Sequence, residues 1–533
     1  MPSAVARAAA RVRTVALLLL LALTAAPPAW ATGLSDHGED LRHAPKHIVK
    51  LAGYYRLRLE ALTNLDLGRG PTPSRQLLYP VPLADPNAQT LTRGDMRLRT
   101  DFAVYSPGGG LAVKARIDSL DNVALGSAPE GIPAGTTTQQ ASPTPVRIKR
   151  VYGEALTPFG LLAAGRMGSQ WGLGMLTNGG DCTDCDSGDA VDRVAFVMPL
   201  LGHLLAAAYD FSATGPFVPS RTGTRSIDFA PSVNVHTLTF AFMRYHSAEA
   251  RERRRKAGLG TFDYGAYYSH RWQKNDIPAT YLATAAPVPI DSSQVMMRGY
   301  NADAIDLWLR LVAPGVRIEA EGAWLHARVA QPSLIPGALL NSPVTSNQLG
   351  AALESDFGAA DDPVGVGLDA GYASGDSAPG FGAFPVAGAS APQPGDLDGA
   401  QSNPPYDNTV NNFRFHPDYH VDRILFREII GTVTDAVYVR PHARLSVFNV
   451  SSGTLEARAA VIASWAVNAQ SPPGQKRPLG VEVDPTLAYM SSDGFELALE
   501  QGTLFPLSGL DNTGLHKKAQ PAQSWRLRFT FLF

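Results

Sequence analysis

From Ser524 to Phe533 the chain alternates strictly. Trp525, Leu527, Phe529, Phe531 and Phe533 fall on one face, and Ser524, Arg526, Arg528, Thr530 and Leu532 on the other. This is the period of an extended strand, and five large apolar side chains in a row need a wide apolar neighbour. The same alternation recurs upstream. Tyr55, Leu57 and Leu59 oppose Arg56, Arg58 and Glu60; Met96, Leu98, Phe102 and Val104 oppose Arg97, Arg99 and Asp101; Leu111, Val113 and Ile117 oppose Lys114, Arg116 and Asp118. Later, Ile305, Leu307, Leu309 and Leu311 oppose Asp306, Trp308 and Arg310. Val364, Val366, Leu368 and Tyr372 oppose Gly365, Gly367, Asp369 and Gly371, and Val481, Val483, Leu487 and Tyr489 oppose Glu482, Asp484 and Thr486. Each segment extends to about 9–12 residues, the length of a tilted strand crossing a bilayer.

A charge at every second position is hard to house in a soluble sandwich, but it suits a wide barrel whose polar face lines a watery lumen. A multi-domain secreted β-sandwich is the soluble alternative, and it offers no reason for the terminal aromatic face. The expected fold is therefore all-β, a single antiparallel transmembrane β-barrel of about 18 strands, within a range of about 16–18, with long extracellular loops. Strand signals are weakest between Val146 and Phe211. Long connections are expected over Asp66–Thr92, Asn122–Thr144, Gln273–Arg298 and Ser374–His420, the last a Gly-, Pro- and Ala-rich lid or constriction.

The first residues read as an export signal. Arg7, Arg11 and Arg13 precede the apolar run Val15–Leu23, and Ala29-Trp30-Ala31 offers a cleavage site. The domain plan is a signal peptide over 1–31, a short periplasmic tail over 32–50, and a barrel over 51–533. The chain has 46 Lys+Arg and 48 Asp+Glu, and loss of three signal arginines leaves 43 against 48, a net −5. That balance excludes a nucleic-acid binder, which needs a basic face. Integral placement in an outer membrane makes lipid, the barrel-assembly machinery and small hydrophilic solutes the expected partners.

A signal peptide followed by a C-terminal amphipathic strand ending in Phe resembles Gram-negative outer-membrane barrels. That resemblance implies that Phe533 is the insertion signal. The stretch GRMGSQWGLGMLTNGGDCTDCDSGDAVDRV (Gly165–Val194) resembles the G-R-x-x-x-x-W-G-x-G signature of alginate-export-like porins. With FHPDYHVDRILFRE (Phe415–Glu428), the chain looks more like an uncharacterised family of signal-bearing outer-membrane proteins of similar length. Both resemblances imply a porin-like channel and neither supplies a solute. One departure from alginate conduits is the acidic side chains on the later strands.

Strand order places the first and last strands side by side. A pore-lining basic wall is expected from Arg56, Arg58, Arg97, Arg99, Lys114, Arg116, Arg166, Arg526 and Arg528. A pore-lining acidic wall is expected from Glu319, Glu321, Glu354, Asp356, Asp369, Glu482 and Asp484. The alternative is local pairing between neighbouring strands, which would leave little net field. For Arg166, the flanking glycines allow a purely structural reading as well.

Cys182 and Cys185, alone in an exported chain, read as a local disulfide. Asp181, Asp184, Asp186, Asp189 and Asp192 crowd the same loop without EF-hand spacing, so a solvated acidic loop is set against a calcium site. His416, Asp418, His420 and Asp422 alternate in HPDYHVD, where Pro417 favours a lid over a metal site. No metal or cofactor is expected. No nucleophile elbow, P-loop or H-E-x-x-H occurs, and an enzyme is not expected. The functional expectation is a passive channel for small hydrophilic solutes, with a closed or plugged barrel in a structural or surface-binding role as the alternative.

Overall fold

The structure, a computed structural model, describes residues 34, 41, 48–85, 88–126, 146–278, 290–359, 362–384 and 391–533. The expected signal peptide lies outside the described residues. The wall begins with β1 (Val49–Thr63), β2 (Thr90–Tyr105), β3 (Leu111–Ala124), β4 (Arg147–Thr157), β5 (Gly160–Gly168), β6 (Ala190–Leu200) and β7 (His203–Ala213). A small hairpin, β8 (Phe217–Pro219) and β9 (Ser226–Asp228), stands on the next connection. The wall resumes with β10 (Val235–Arg244), β11 (Thr261–Asp276), β12 (Met296–Ala313), β13 (Val316–Val329), β14 (Val344–Phe357) and β15 (Val364–Ala373). It ends with β16 (Ala436–Val450), β17 (Gly453–Ala466), β18 (Pro478–Ser491), β19 (Phe495–Pro506) and β20 (Ala522–Leu532).

Every neighbouring pair is antiparallel, and β20 pairs with β1 from Tyr54↔Leu532 to Thr63↔Gln523. The eighteen strands of the large sheet among the described residues therefore form a closed barrel. Phe533 locks the seam: its N–H donates to Gly53 O at 3.1 Å and its carbonyl accepts from Gly53 N at 2.9 Å.

The alternation read from the sequence decides which face meets lipid. Ile305, Leu307, Leu309 and Leu311 are exposed, while Asp306 and Trp308 between them are buried on the lumen side. On β20, Trp525 and Phe531 point out and Arg526, Arg528 and Thr530 point in. No described helix is long and apolar enough to cross a membrane. On β15, Gly365, Gly367 and Gly371 alternate with the exposed Val364, Val366 and Leu368 and so face the lumen, where Arg444, His442 and Tyr438 of β16 fill the space a Cβ would take, at 2.6, 2.3 and 2.3 Å. Leu309→Arg should cost about 2–4 kcal/mol if the site is near the bilayer midplane. A urea titration of folded barrel in vesicles would measure this. A cost near zero would place Leu309 at an interface instead.

Connections alternate in length. At the end holding both barrel termini, seven of the eight connections have two to six residues; the eighth, 245–260, carries a helix, α1 (Ala248–Lys256). The other end has the long connections, and by the usual rule the short end is periplasmic. Two features depart from the sequence reading. The long connection after β15 runs to residue 435, beyond the expected 374–420, because 421–435 folds into the lumen with a buried π-helical turn, Leu425–Ile430. The tail ahead of β1 is not merely periplasmic: Leu34 is buried in a cluster with Trp171, Met243 and Trp308, and Leu41 in one with Ala103, Tyr105 and Leu161.

Candidate pore and the loops that narrow it

Inward side chains of β1–β4 and β20 carry a dense set of cations. Arg56 and Arg97 are 0% exposed, and Arg99, Arg116 and Arg526 are 2–3% exposed. They do not meet open water, because the 169–189 connection lies over them. Arg56 donates to Thr183 O at 2.9 Å and Cys185 O at 3.2 Å. Arg97 donates to Cys185 O at 2.6 Å and Asp186 O at 2.8 Å, and Arg99 to Gly180 O at 2.6 Å. Arg58 binds Asp186 at 2.6 Å and Asp184 at 3.1 Å, Arg526 binds Asp184 at 3.1 Å, and Arg116 pairs with Asp181. A disulfide joins Cys182 to Cys185 within this segment.

The five aspartates thus have protein partners. Asp181, Asp184 and Asp186 are counter-ions of the basic wall, and Asp189 accepts from Asn178 N at 3.2 Å. Asp192 pairs with Arg166 at 2.7 Å on the barrel exterior. That position corrects the pore-lining expectation for Arg166: it lies opposite Val151, an exposed outward residue, near the extracellular ends of the strands. There the outer face leaves the hydrocarbon, and a charge can point outward. Lys114 faces the lumen as its sequence phase implied, bound to Glu154 at 3.1 Å. Arg528 does too, donating to Thr183 Oγ1 at 3.2 Å and pairing with Glu496 at 3.1 Å. Local pairs such as Arg99–Asp118 at 2.7 Å neutralise part of the wall.

The acidic positions hold amides. Glu321 accepts from Met175 N at 3.4 Å and Leu176 N at 3.3 Å, so the 169–189 connection spans the lumen from one wall to the other. Glu482, 1% exposed, accepts from Arg423 N at 2.9 Å, Ile424 N at 2.8 Å and Leu425 N at 3.0 Å. Glu319, Glu354 and Asp356 converge on Arg317 at 2.8, 2.8 and 3.0 Å, and Asp369 binds Arg440 at 2.6 Å. Asp484 is buried facing inward on β18.

The 374–435 connection packs its own apolar core inside the barrel, where Phe413, Phe415, Ile424, Leu425 and Phe426 are each at most 2% exposed. HPDYHVD ties the two inserted segments together. Asp418 accepts from Asp186 N at 2.7 Å and Ser187 N at 3.1 Å, His416 N donates to Met175 O at 2.7 Å, and Arg427 binds Asp184 at 2.7 Å. Among the described residues no three His, Cys, Asp or Glu side chains are placed to hold a metal. Sequence reasoning missed Arg427, Arg423 and Glu428, which accepts from Tyr79 Oη at 3.0 Å and Arg93 at 3.1 Å; only the length of the loop hinted that it fills the lumen.

Three of the cavities, of about 670, 600 and 380 Å³, have His420 in their lining. The first reaches toward the short-connection end through Phe357, Gly358 and Arg444; the third reaches the long-connection end past Gly94 and Ala124. His420 is the residue common to all three, with Asp418, Asp184 and Arg427 beside it in their linings.

Burial, with Arg427 adding to it, pushes His420 down to about 3. Burial also raises Asp422 to about 7, with Asp484 adding to the rise against the amides of Phe426 and Arg427. Burial alone would raise Asp184, but Arg427, Arg526, His420 and Arg58 outweigh it and hold the carboxyl well below its usual range. His420 and Asp422 give opposite pH responses. A released loop lets His420 take up a proton below its ordinary pKa near 6.5, so acid favours release, by about 2 kcal/mol at pH 5. Asp422 is protonated in the seated loop below about pH 7. It would ionise on release, so acid favours seating by about 2 kcal/mol between pH 7 and 5. Hydrogen exchange of the 419–430 amides, corrected for intrinsic rates, should change little in the wild type over this window. His420→Gln should be better protected at pH 5 than at pH 7, and Asp422→Asn worse. Equal slopes in the two variants would contradict the assignment.

A closed barrel with an apolar outer belt and a polar, loop-filled lumen defines an integral outer-membrane β-barrel. Compared with protein-family models, the chain matches none, and it matches no curated protein sequence. Among solved structures it is similar to OpdK of Pseudomonas aeruginosa, crystallised with vanillate, at 12% identity over 91% of this chain and 98% of that one, TM-score 0.44. It is also similar to OccK9 (OpdG) of Pseudomonas aeruginosa, at 12% identity over 91% and 98%, TM-score 0.46. A third is a BenF-like porin from Pseudomonas fluorescens Pf-5, at 9% identity over 91% and 98%, TM-score 0.43. At these identities and scores the similarities assign no solute to this chain, and the two family resemblances stand on their motifs alone.

Proposed function

We propose that the protein is a passive outer-membrane channel for small hydrophilic solutes. The observation that carries this reading is the set of three cavities meeting at His420. The largest is lined by seven guanidinium groups (Arg317, Arg423, Arg427, Arg440, Arg444, Arg458, Arg528) and seven carboxyl groups (Asp184, Asp356, Asp422, Asp484, Glu456, Glu496, Glu500). Such a lining favours polar, dipolar solutes over apolar ones and gives weak selection by net charge. This balance is also why the resemblance to alginate-export-like porins is not extended to a polyanionic solute. In this reading Glu354, Asp356, Asp484 and Arg528 line the route, while most of the basic wall, with Glu321 and Glu482, seats the inserted loops.

Single-channel recording of purified protein in planar bilayers tests the proposal. Discrete steps with near-equal cation and anion permeability are expected. Absence of conductance at any voltage would favour the second reading, a plugged barrel with a structural or surface-binding role, which the apolar loop core inside the lumen supports.

Residues 1–31 act in this scheme as an export signal, and Phe533 as the residue read by the barrel-assembly machinery. Deleting Phe533 should sharply lower the heat-modifiable, membrane-inserted fraction in cells while leaving the secreted amount unchanged. Normal assembly without it would remove that role.

A further inference from the structure

The 245–260 connection is out of place among the short connections: it has sixteen residues where the other seven have two to six. It carries α1, AEARERRRK, begun by the Ser247 hydroxyl accepting from Ala250 N at 3.2 Å. Five cations against two carboxylates give the helix a net charge of +3, and none of its residues is buried. Nine residues without a packed face are too few to stabilise a helix in water. Basic residues in the last turn help through the helix dipole, Glu252 pairs with Arg255 at 2.8 Å and Lys256 at 3.4 Å, and Arg254 donates to Gly260 O at 3.0 Å, yet all four cations of that turn stay exposed, and a tether holds the helix to the rim. That tether is Arg251, whose guanidinium lies 5.5 Å from the centre of the Tyr245 ring and donates to His246 O.

The surroundings indicate the partner. Leu259, just past the helix, is 52% exposed, and Leu201, at the tip of the β6–β7 turn, is 91% exposed. Strand β7 pairs with β10, so these tips border the same stretch of rim. Phe242 and Phe262, outward residues near the ends of β10 and β11, are 41% and 48% exposed and belong to the lipid-facing belt, and Arg244, exposed on the same face, ends β10. The apolar surface thus continues past the strand ends. Arg253, Arg254, Arg255 and Lys256, all exposed, precede Leu259 on the same connection.

We propose that α1 and the flanking apolar tips form a binding site for anionic phospholipid headgroups of the periplasmic leaflet. The apolar tips enter the acyl boundary and the basic turn pairs with phosphate, each cation adding to the attraction. The proposal rests on the outer-membrane placement of the barrel, with the short end periplasmic, and not on its being a channel.

The test is native mass spectrometry of the full barrel in detergent with equimolar phosphatidylglycerol and phosphatidylcholine. The wild type should retain phosphatidylglycerol in preference by about fivefold or more, with the preference falling at high salt. R253Q/R254Q/R255Q/K256Q should abolish it, and R253K/R254K/R255K should keep it. Unchanged single-channel conductance in the glutamine variant would separate this site from the pore. An equal preference in wild type and glutamine variant would overturn the proposal. So would α1-dependent binding to purified peptidoglycan sacculi with lipid preference unaltered. Should the glutamine variant fail to show the heat-modifiable folded band, salt decides: a wild-type preference that survives 1 M NaCl would overturn the site, and its loss would support it.

Discussion

Replacing Arg56, Arg58, Arg97 and Arg99 together by glutamine should unseat the 169–189 connection and raise single-channel conductance severalfold. These arginines are nearly inaccessible, and besides Asp95, Asp118 and Asp121 of the wall they hold the loop: the carbonyls of Gly180, Thr183, Cys185 and Asp186 and the carboxylates of Asp184 and Asp186. Removing one partner of a buried ion pair costs about 3–5 kcal/mol, because the other charge is left without compensation. Several such losses, concentrated on residues 180–186, leave that turn to Arg116, Arg526, Arg427 and Arg528 and to the anchors on Glu321 and Asp418, and the expectation is that these do not hold it seated. The freed aspartates then reach water only by leaving the wall, which widens the route beside His420. Conductance and current noise in planar bilayers measure this, and the Cys182–Cys185 disulfide should become reducible at lower reductant concentration. A shift of reversal potential toward cations with conductance unchanged would mean that the arginines line the conducting path and that the loop holds without them.

How much of this was legible in the sequence differs between wall and lumen. The wall follows a local rule. Each residue's neighbours at i±2 share its face, so Ile305–Leu311 and Trp525–Phe531 announced their own lipid contact, and the long connections announced themselves by composition. Arg166 misleads because a charge beside a glycine-kinked backbone reads as lumen-facing, whereas near a strand end an outward charge is tolerated and Asp192 lies opposite it. The filling of the lumen is non-local. Arg56 meets Asp186 across 130 positions, and Glu482 meets Ile424 across 58. No periodicity encodes these pairings. The acidic run Asp181–Asp186 and the basic wall were both visible, and their complementarity was the signal for their contact. The α1 helix was invisible to an apolar-periodicity search because RERRRK has no apolar face.

The seat of the second inserted segment depends on a single carboxylate. Glu482 accepts three consecutive amides, those of Arg423, Ile424 and Leu425, at the start of the buried turn that carries Arg427 to Asp184. Glu482→Ala leaves three buried donors unpaired, at about 1–3 kcal/mol each. The 413–431 segment should then open while the strands stay paired, because β18 keeps its backbone ladder to β17 and β19. Glu482→Gln should be intermediate: one oxygen can still serve the Arg423 and Ile424 amides, but the side-chain NH₂ faces the Leu425 amide. Limited trypsin digestion of folded barrel reads this directly. Cleavage after Arg423 or Arg427, both largely buried, should be fast in the alanine variant, slower in the glutamine variant and absent in the wild type. The heat-modifiable shift should persist in all three. Because His420 and Asp418 lie on the same segment, the alanine variant should also conduct more. Unaltered protection of Arg423 and Arg427 in that variant would show that the apolar core of Phe413, Phe415, Leu425 and Phe426 seats the segment by itself, with the carboxylate incidental.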